Sequence, residues 1–238
     1  MAPPTRTRPL RLAAALALAA PAAAQAQAYQ CRVPASVPPA RAESGEARRM
    51  PIAGYTLALS WSPELCRGRE RDPAHRLQCS GAMGRFGFVV HGLWPEGRAG
   101  YPQYCRRVPP PPPGVVRGQL CRTPKVELIA HEWAKHGSCM ARDAVRYFRV
   151  ANILSDAMRY PAMESLSRDE ALTAGKLRAS FAAANPGRPA NSFGVRLSKR
   201  GWLREVLVCL DHRFRPRRCP AAQSGMRDAA SIKIWRGL

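Results

Sequence analysis

Acidic residues are scarce and histidines scarcer. Sixteen Asp and Glu face 38 Lys and Arg, with five His, for a formal net charge of +22 over 238 residues. That excess points to a polyanionic partner, whether nucleic acid, anionic membrane or acidic glycan, although an arginine-rich proteome produces the same bias by itself. No C-x-x-C pair occurs and the cysteine spacings are long and irregular, which argues against a zinc cage of cysteines. Beyond the N-terminus no stretch reads as transmembrane, and there is no internal repeat or sign of a second domain.

What is present starts with a leader. Arg6, Arg8 and Arg11 precede a short apolar run to Ala20 that contains no acidic residue, and small residues follow, ending Ala26-Gln27-Ala28. Residues 1–28 therefore read as a signal peptide with an A-x-A cleavage site, and the apolar run is too short to be a bilayer span; a retained anchor is the alternative. Cleavage leaves a soluble, exported chain that begins at Tyr29, without a stable membrane anchor. Eight cysteines (Cys31, Cys66, Cys79, Cys105, Cys121, Cys139, Cys209 and Cys219) form an even set behind an export signal, which argues for disulfides made in an oxidising compartment.

Residues 29–50, rich in Pro, Ala, Arg and Glu, read as an irregular or mobile N-terminal arm pinned by Cys31, and residues 51–238 as one folded domain. Tyr55–Trp61 alternates like a half-buried strand that Ser62-Pro63 ends, and Arg67–Gln78 is turn-like. Phe86–Val90 reads as a central strand with His91 at its tip. Pro109–Pro113 predicts a stiff polyproline rim that joins neither a helix nor an inner strand. Helices are predicted over 126–136, stopped by Gly137; over 143–158, with Val145, Phe148, Ile153 and Leu154 as the apolar stripe; and over 167–183, with Ser167 and Glu170 as a capping box and Asn185-Pro186-Gly187 closing it. A strand is predicted over 202–210, a basic turn over 211–219, and a last edge strand over 231–235.

The chemistry concentrates in two segments, Phe88-Val-Val-His91-Gly-Leu-Trp94-Pro-Glu96 and His131-Glu132-Trp133-Ala134-Lys135-His136-Gly137-Ser138-Cys139, which hold three of the five histidines. On a helix at about 100° per residue, His131 and Lys135 lie one turn apart, as do Glu132 and His136, so the four share one broad face while Trp133 and Ala134 point to a core. Such a face is most often only solvated surface. The sharper rival is a zinc site, but H-E-x-x-H needs histidines four apart, and these are five apart, about 140° around the helix. Metal-free phosphoryl transfer uses every residue: one imidazole takes a proton, another gives one, and cations hold the charge that builds on phosphorus. RNA brings its own nucleophile, the 2′-OH; DNA lacks it and is expected to resist this route.

Both segments resemble the paired active-site motifs of the ribonuclease T2 family, in the branch of bacterial periplasmic ribonucleases: H-G-L-W-P over His91–Pro95 and H-E-W-x-K-H-G-x-C over His131–Cys139, each matched at every position. The resemblance is diffuse over residues 55–219. It implies an α+β fold, a central antiparallel β-sheet flanked by helices and stapled by disulfides. It also implies an endoribonuclease of low base specificity that acts on single-stranded RNA, forms 2′,3′-cyclic phosphates and slowly opens them to 3′-phosphates, with no cofactor and no metal. By resemblance His91 is the general acid, His136 the general base and His131 a phosphate ligand; Glu132 and Lys135 stabilise the pentacovalent state, and Trp94 shapes the base site. Tyr101 and Tyr104 lie where the family places a base site; a stacking Tyr101 competes with an ordinary loop tyrosine. The motif cysteine Cys139 pairs, by resemblance, with Cys105. Cys66–Cys79 and Cys209–Cys219 are the next natural pairs, and Cys31 is left to Cys121 by elimination. The product is expected in the periplasm or secreted, as a monomer without an obligatory protein partner, binding RNA in a way that weakens steeply with salt. A cationic RNA- or membrane-binding protein that has lost catalysis is the alternative, as is a zinc hydrolase.

Overall fold

The computed structural model describes Met1, Ala28–Tyr29 and residues 31–237. The leader expected over 1–28 lies outside the described residues, Met1 and Ala28 excepted. The strands are β1 (Ala28–Tyr29), β2 (Gly54–Trp61), β3 (Arg85–Phe86), β4 (Phe88–Glu96), β5 (Phe193–Leu197) and β6 (Leu203–Asp211). Four of them form an antiparallel sheet in the order β4-β2-β6-β5, while β1 pairs only with β3. Alternation makes two faces of the sheet. Leu57, Leu59, Phe88, Val90, Leu93, Val206, Val208, Phe193 and Val195 are buried on the helix-covered face. Gly92, Trp94, Ser60, Glu205 and Arg196 fall on the other.

Strand β4 is an edge strand, not a central one, and His91 sits within it rather than at its tip. It reads as central because its free edge is covered. Val90 N–H donates to the Arg122 carbonyl, Thr123 Oγ1 donates to the Val90 carbonyl, and the Tyr147 hydroxyl both donates to the Leu93 carbonyl and accepts from Leu93 N–H. Pro95 is tolerated there because an edge strand has ladder positions without a partner. The pairing of β2 with β4 shifts by one between Ala58–Gly92 and Leu59–Val90, so His91 is an extra residue with no partner across β2, a β-bulge.

Helices α1 (Ser62–Cys66) and α2 (Arg76–Cys79) hold the Cys66–Cys79 disulfide, and α3 (Pro113–Gln119) begins on the last proline of the run. Pro113 thus joins a helix after all, at its first position, where a missing N–H costs nothing. The next helix corrects the expected stop at Gly137. After α4 (Val126–Glu132) the chain makes a π-turn over Trp133–Gly137 and continues as α5 (Ser138–Met140), with Gly137 at φ −61° and ψ −37°. Gly137 is needed for space: a Cβ there would stand 2.5 Å from Trp133 Cε3 and 2.8 Å from Tyr147 Cγ.

Helix α6 (Ala144–Asp156) is capped by the Asp143 carboxylate and packs on β2 and β4 through Ala144, Tyr147, Phe148, Ala151 and Ser155. Val145 and Ile153 are instead 56% and 60% exposed, because the face set by Tyr147 and Ala151 lies opposite them. After α7 (Met163–Leu166), α8 (Ala174–Ala184) starts later than Ser167 and Glu170 suggest; Thr173 Oγ1 accepts from Lys176 N–H and is the cap. Residues 231–235 make only isolated bridges, Ser231 with Thr173 and Lys233 with Trp202, not a strand. Strand β5 lies outside the elements predicted from the sequence. Helix α9 (Ala221–Ser224) closes over β5.

All eight cysteines are paired: Cys31–Cys121, Cys66–Cys79, Cys105–Cys139 and Cys209–Cys219. Residues 31–50 form no helix or strand, but the arm is held: by Cys31, by the two backbone hydrogen bonds between Arg48 and Gln103, and by Arg49 Nε donating to the Cys105 carbonyl. No helix among the described residues is long and apolar enough to cross a membrane.

Candidate functional site

Strand β4 and the helix of the second segment meet at a glycine. Gly92 has no side chain, and Glu132 occupies the space: a Cβ on Gly92 would fall 1.8 Å from Glu132 Oε2. That same oxygen accepts from Trp94 Nε1 at 2.9 Å, and the other carboxylate oxygen lies 3.6 Å from His91 Nε2. The rings of His91 and Trp94 meet edge to face at 5.1 Å, and the His136 ring lies 5.7 Å from that of Trp94. Tyr101 follows, 6.2 Å from His136, with the Lys135 ammonium 5.9 Å and the Arg48 guanidinium 4.9 Å from its ring. His91, Trp94, Glu132, Lys135, His136 and Tyr101 are thus gathered in one place.

Burial divides their protonation. Glu132 is 1% exposed, and loss of water pushes its carboxyl up to about 7, against the opposing pull of His91, the Trp94 hydrogen bond and Lys135. His136 is 5% exposed, and burial, with the charges of Lys135, His131 and His91, holds its imidazole down at about 2. Its Nδ1 has no hydrogen-bond partner among the described residues. For His91 burial acts downward, but the hydrogen bond to Glu205 and the charge of Glu132 outweigh it and raise the imidazole above its ordinary value. The cluster therefore sets a neutral imidazole and one biased to hold its proton around a single indole. That is the pairing general base and general acid work needs.

His131 stands apart from this group. Its Nδ1 meets the Glu43 carboxylate at 2.6 Å, and Glu43 also accepts the Tyr104 hydroxyl at 2.6 Å. Burial and Glu43 both push the Tyr104 phenol up. Tyr104 therefore lies beside His131 with the N-terminal arm laid over it, whereas Tyr101 lines a cavity of about 650 Å³ with Trp94, Lys135, His136, Arg196 and Gln223. In the wall of that cavity Glu96 accepts from Thr56 Oγ1 at 2.9 Å and from Gln223 Nε2 at 3.0 Å. Glu205, Glu43 and Arg196 did not stand out in the sequence. Glu205 had a faint signal, as a lone carboxylate in a strand that is otherwise apolar from Val206 to Leu210; Glu43 had none.

Among the described residues no cluster of three or more His, Cys, Asp or Glu is arranged to hold a metal ion. His131 is turned to Glu43 and His136 to Trp94, so the two histidines of the second segment do not converge.

No family model matches the chain. Individual proteins do. It is 34% identical over 183 residues to a ribonuclease of Aeromonas hydrophila, covering 72% of this chain and 75% of that one. It is 36% identical over 138 residues to a probable ribonuclease of Haemophilus influenzae, covering 53% of this chain and 50% of that one, so it spans about half the length of that relative. Among solved structures, the gametophytic self-incompatibility associated SF11-RNase of Nicotiana alata superposes with a TM-score of 0.59 at 17% identity, covering 78% of this chain and all of that one.

Proposed function

The chain belongs to the ribonuclease T2 family, and from that membership we propose that it is an exported endoribonuclease cleaving single-stranded RNA with little base preference. One observation carries the reading furthest: the two motifs meet through Glu132, which fills the space left by Gly92 and joins His91 and Trp94. In the proposed reaction neutral His136 takes the proton from the ribose 2′-OH. The 2′ oxygen forms a bond to phosphorus as the bond from phosphorus to the 5′ oxygen breaks. The departing 5′ oxygen takes the Nε2 proton of His91. Lys135 holds the phosphate oxygens, joined by His131 once it exchanges the Glu43 carboxylate for phosphate, and Glu132 polarises the phosphate and steadies the pentacovalent state. The products are a 2′,3′-cyclic phosphate and a 5′-hydroxyl. The cycle opens slowly with the roles exchanged: His91 takes a proton from a water that bonds to phosphorus, the bond from phosphorus to the 2′ oxygen breaks, and His136 returns its proton to that oxygen, leaving a 3′-phosphate.

Trp94 and Tyr101 offer aromatic faces to a base, a mode of holding single strands that tolerates any base. Tyr104 serves the site beside His131 rather than in the cavity. The arginine excess supplies attraction for the phosphate backbone. The four disulfides and the leader sequence support a periplasmic or extracellular site of action.

The deciding experiment is cleavage of single-stranded RNA by the oxidised protein in EDTA, with product ends resolved. Cyclic phosphates and 5′-hydroxyls are expected, with DNA of the same sequence left intact. No cleavage by correctly disulfide-bonded protein would point to the binding-protein alternative, and activity lost only with the chelator would reveal a metal. Gly92→Ala gives a second expected result. The new methyl displaces Glu132 from Trp94 and His91, and a shift of about 1 Å in such a site costs about 10²-fold in kcat/KM. Wild-type kinetics from folded Gly92→Ala would show that the contact of the two motifs is not what the reaction uses.

A further inference from the structure

Glu205 belongs to neither motif. It lies on β6, two strands away from His91 on β4, yet its Oε1 is 2.7 Å from His91 Nδ1. Neighbouring strands stand about 4.8 Å apart, so the contact needs both a long side chain and a clear path over β2. Ser60, the β2 residue opposite Glu205, provides that path, and its hydroxyl donates to the same Oε1 at 3.2 Å. Across β5 the opposing residue is Arg196, whose Nη1 reaches Glu205 Oε2 at 3.3 Å. Glu205 is 3% exposed. A carboxylate placed so far from water is expensive unless it is paired and hydrogen-bonded, and here all its partners are side chains from three different strands.

We infer that Glu205 is the positioning residue of His91: it takes the Nδ1 hydrogen, fixes the tautomer, and turns Nε2 toward the reacting phosphate. The inference rests on the proposed reaction, in which Nε2 must deliver a proton. An ionised carboxylate only accepts, so the hydrogen of this bond sits on Nδ1 and the ring's remaining nitrogen faces Glu132 and the open side. Burial acts to push the Glu205 carboxyl up, but the hydrogen bond from His91 together with the charges of His91, Arg196 and Arg204 outweighs it and holds the carboxyl below its ordinary value. The other groups that bear on His91 are Glu132 and His136 from α4 and its π-turn, and Arg204 on β6, with Arg196 on β5 behind Glu205. Among the described residues it is Glu205, and none of these, that hydrogen-bonds Nδ1. Arg196 also stands 5.8 Å from the Trp94 ring, so the unit runs from β5 to the cavity wall.

The test is Glu205→Gln, which keeps the shape and removes the charge. The His91 imidazole, followed by NMR in the free protein, is expected to lose its proton about one pH unit lower than in the wild type. The alkaline limb of kcat/KM should move down by the same amount, and kcat near pH 8 should fall about tenfold with KM unchanged. If folded Glu205→Gln titrates at the wild-type pH, or raises KM without moving the limb, Glu205 is only a structural partner of Arg196 and the inference fails. Should Glu205→Gln not fold, Glu205→Asp keeps the charge on a shorter stem. Its alkaline limb is expected to stay in place while kcat falls, and a limb displaced as far as the loss of the charge predicts would overturn the inference. Because the imidazole titration needs no turnover, it judges Glu205 even if the wild-type protein proves inactive on RNA.

Discussion

His136→Ala is expected to lower kcat on single-stranded RNA by about 10³-fold while KM stays within a few-fold of wild type, the range that loss of a general base produces. The side chain lies against Trp94 and Tyr101, and its Nδ1 has no hydrogen-bond partner among the described residues. Held down at about 2 by burial and neighbouring positive charge, the imidazole rests neutral in the free protein, with its lone pair open for the 2′ proton once an anionic phosphate lies beside it. The same burial has a price in acid. Unfolded, the ring takes up a proton near its ordinary value of about 6.5, while the folded ring refuses it. The unfolded state thus binds more protons between about pH 6.5 and 2, and this group's contribution to stability is lost as pH falls through that window. His136→Ala should therefore withstand acid better than wild type relative to its own stability at pH 8. Near-wild-type turnover in the folded variant would remove His136 from the base role.

Glu132→Gln is expected to pull activity and stability in opposite directions. Turnover should fall about 10²-fold, since a neutral amide no longer polarises the phosphate. The folded protein should meanwhile gain on the order of 2 kcal/mol at pH 8, or roughly 4–8 °C in Tm for a domain of this size. The sign follows from where the proton sits. The unfolded carboxyl ionises near 4.5 and the folded one at about 7. The folded state holds more protons in that interval, so the proton's stabilisation is complete below about 4.5 and is lost as pH rises through 7. Above 7 the wild type carries a buried carboxylate, a cost that Gln removes. At pH 4–5 the two proteins should melt together. Calorimetry at both pH values reads the difference, and a wild type more stable than Glu132→Gln at pH 8 would mean that His91, Trp94 and Lys135 more than offset the burial. A stability cost retained for function is a common feature of active sites.

The motif residues were legible because their types are unusual for the places they hold: two imidazoles, a carboxylate and an amine on a helix that also buries Trp133 and Ala134. The strands over 54–61 and 203–211 were legible from alternation and β-branched content. What the sequence hid was long-range. Glu205 reaches His91 from 114 positions away, and Glu43 reaches His131 from 88. No local pattern links such pairs. The apolar stripe of α6 misled because Val145 and Ile153 are as apolar as Tyr147 and Ala151, and only the position of β4 decides which face is covered. Gly137 misled in another way: glycine often ends helices, but here it makes room for Trp133 and Tyr147. β5 was missed because Arg196 interrupts its apolar run, and that arginine is spoken for by Glu205.

The bulge at His91 works as a phase shifter. In a regular strand, residues an odd number apart point to opposite sides, so a histidine and a tryptophan three positions apart could not face one substrate. One unpaired residue resets the count. Leu93 and Val90 then both face the core, across an interval that strict alternation would split between the two sides, while His91 and Trp94 meet on the other. The three-residue interval in H-G-L-W is therefore the linear trace of an irregular strand. Deleting Gly92 would keep every side chain of the motif's chemistry but change its phase, and would turn either the core or the site inside out.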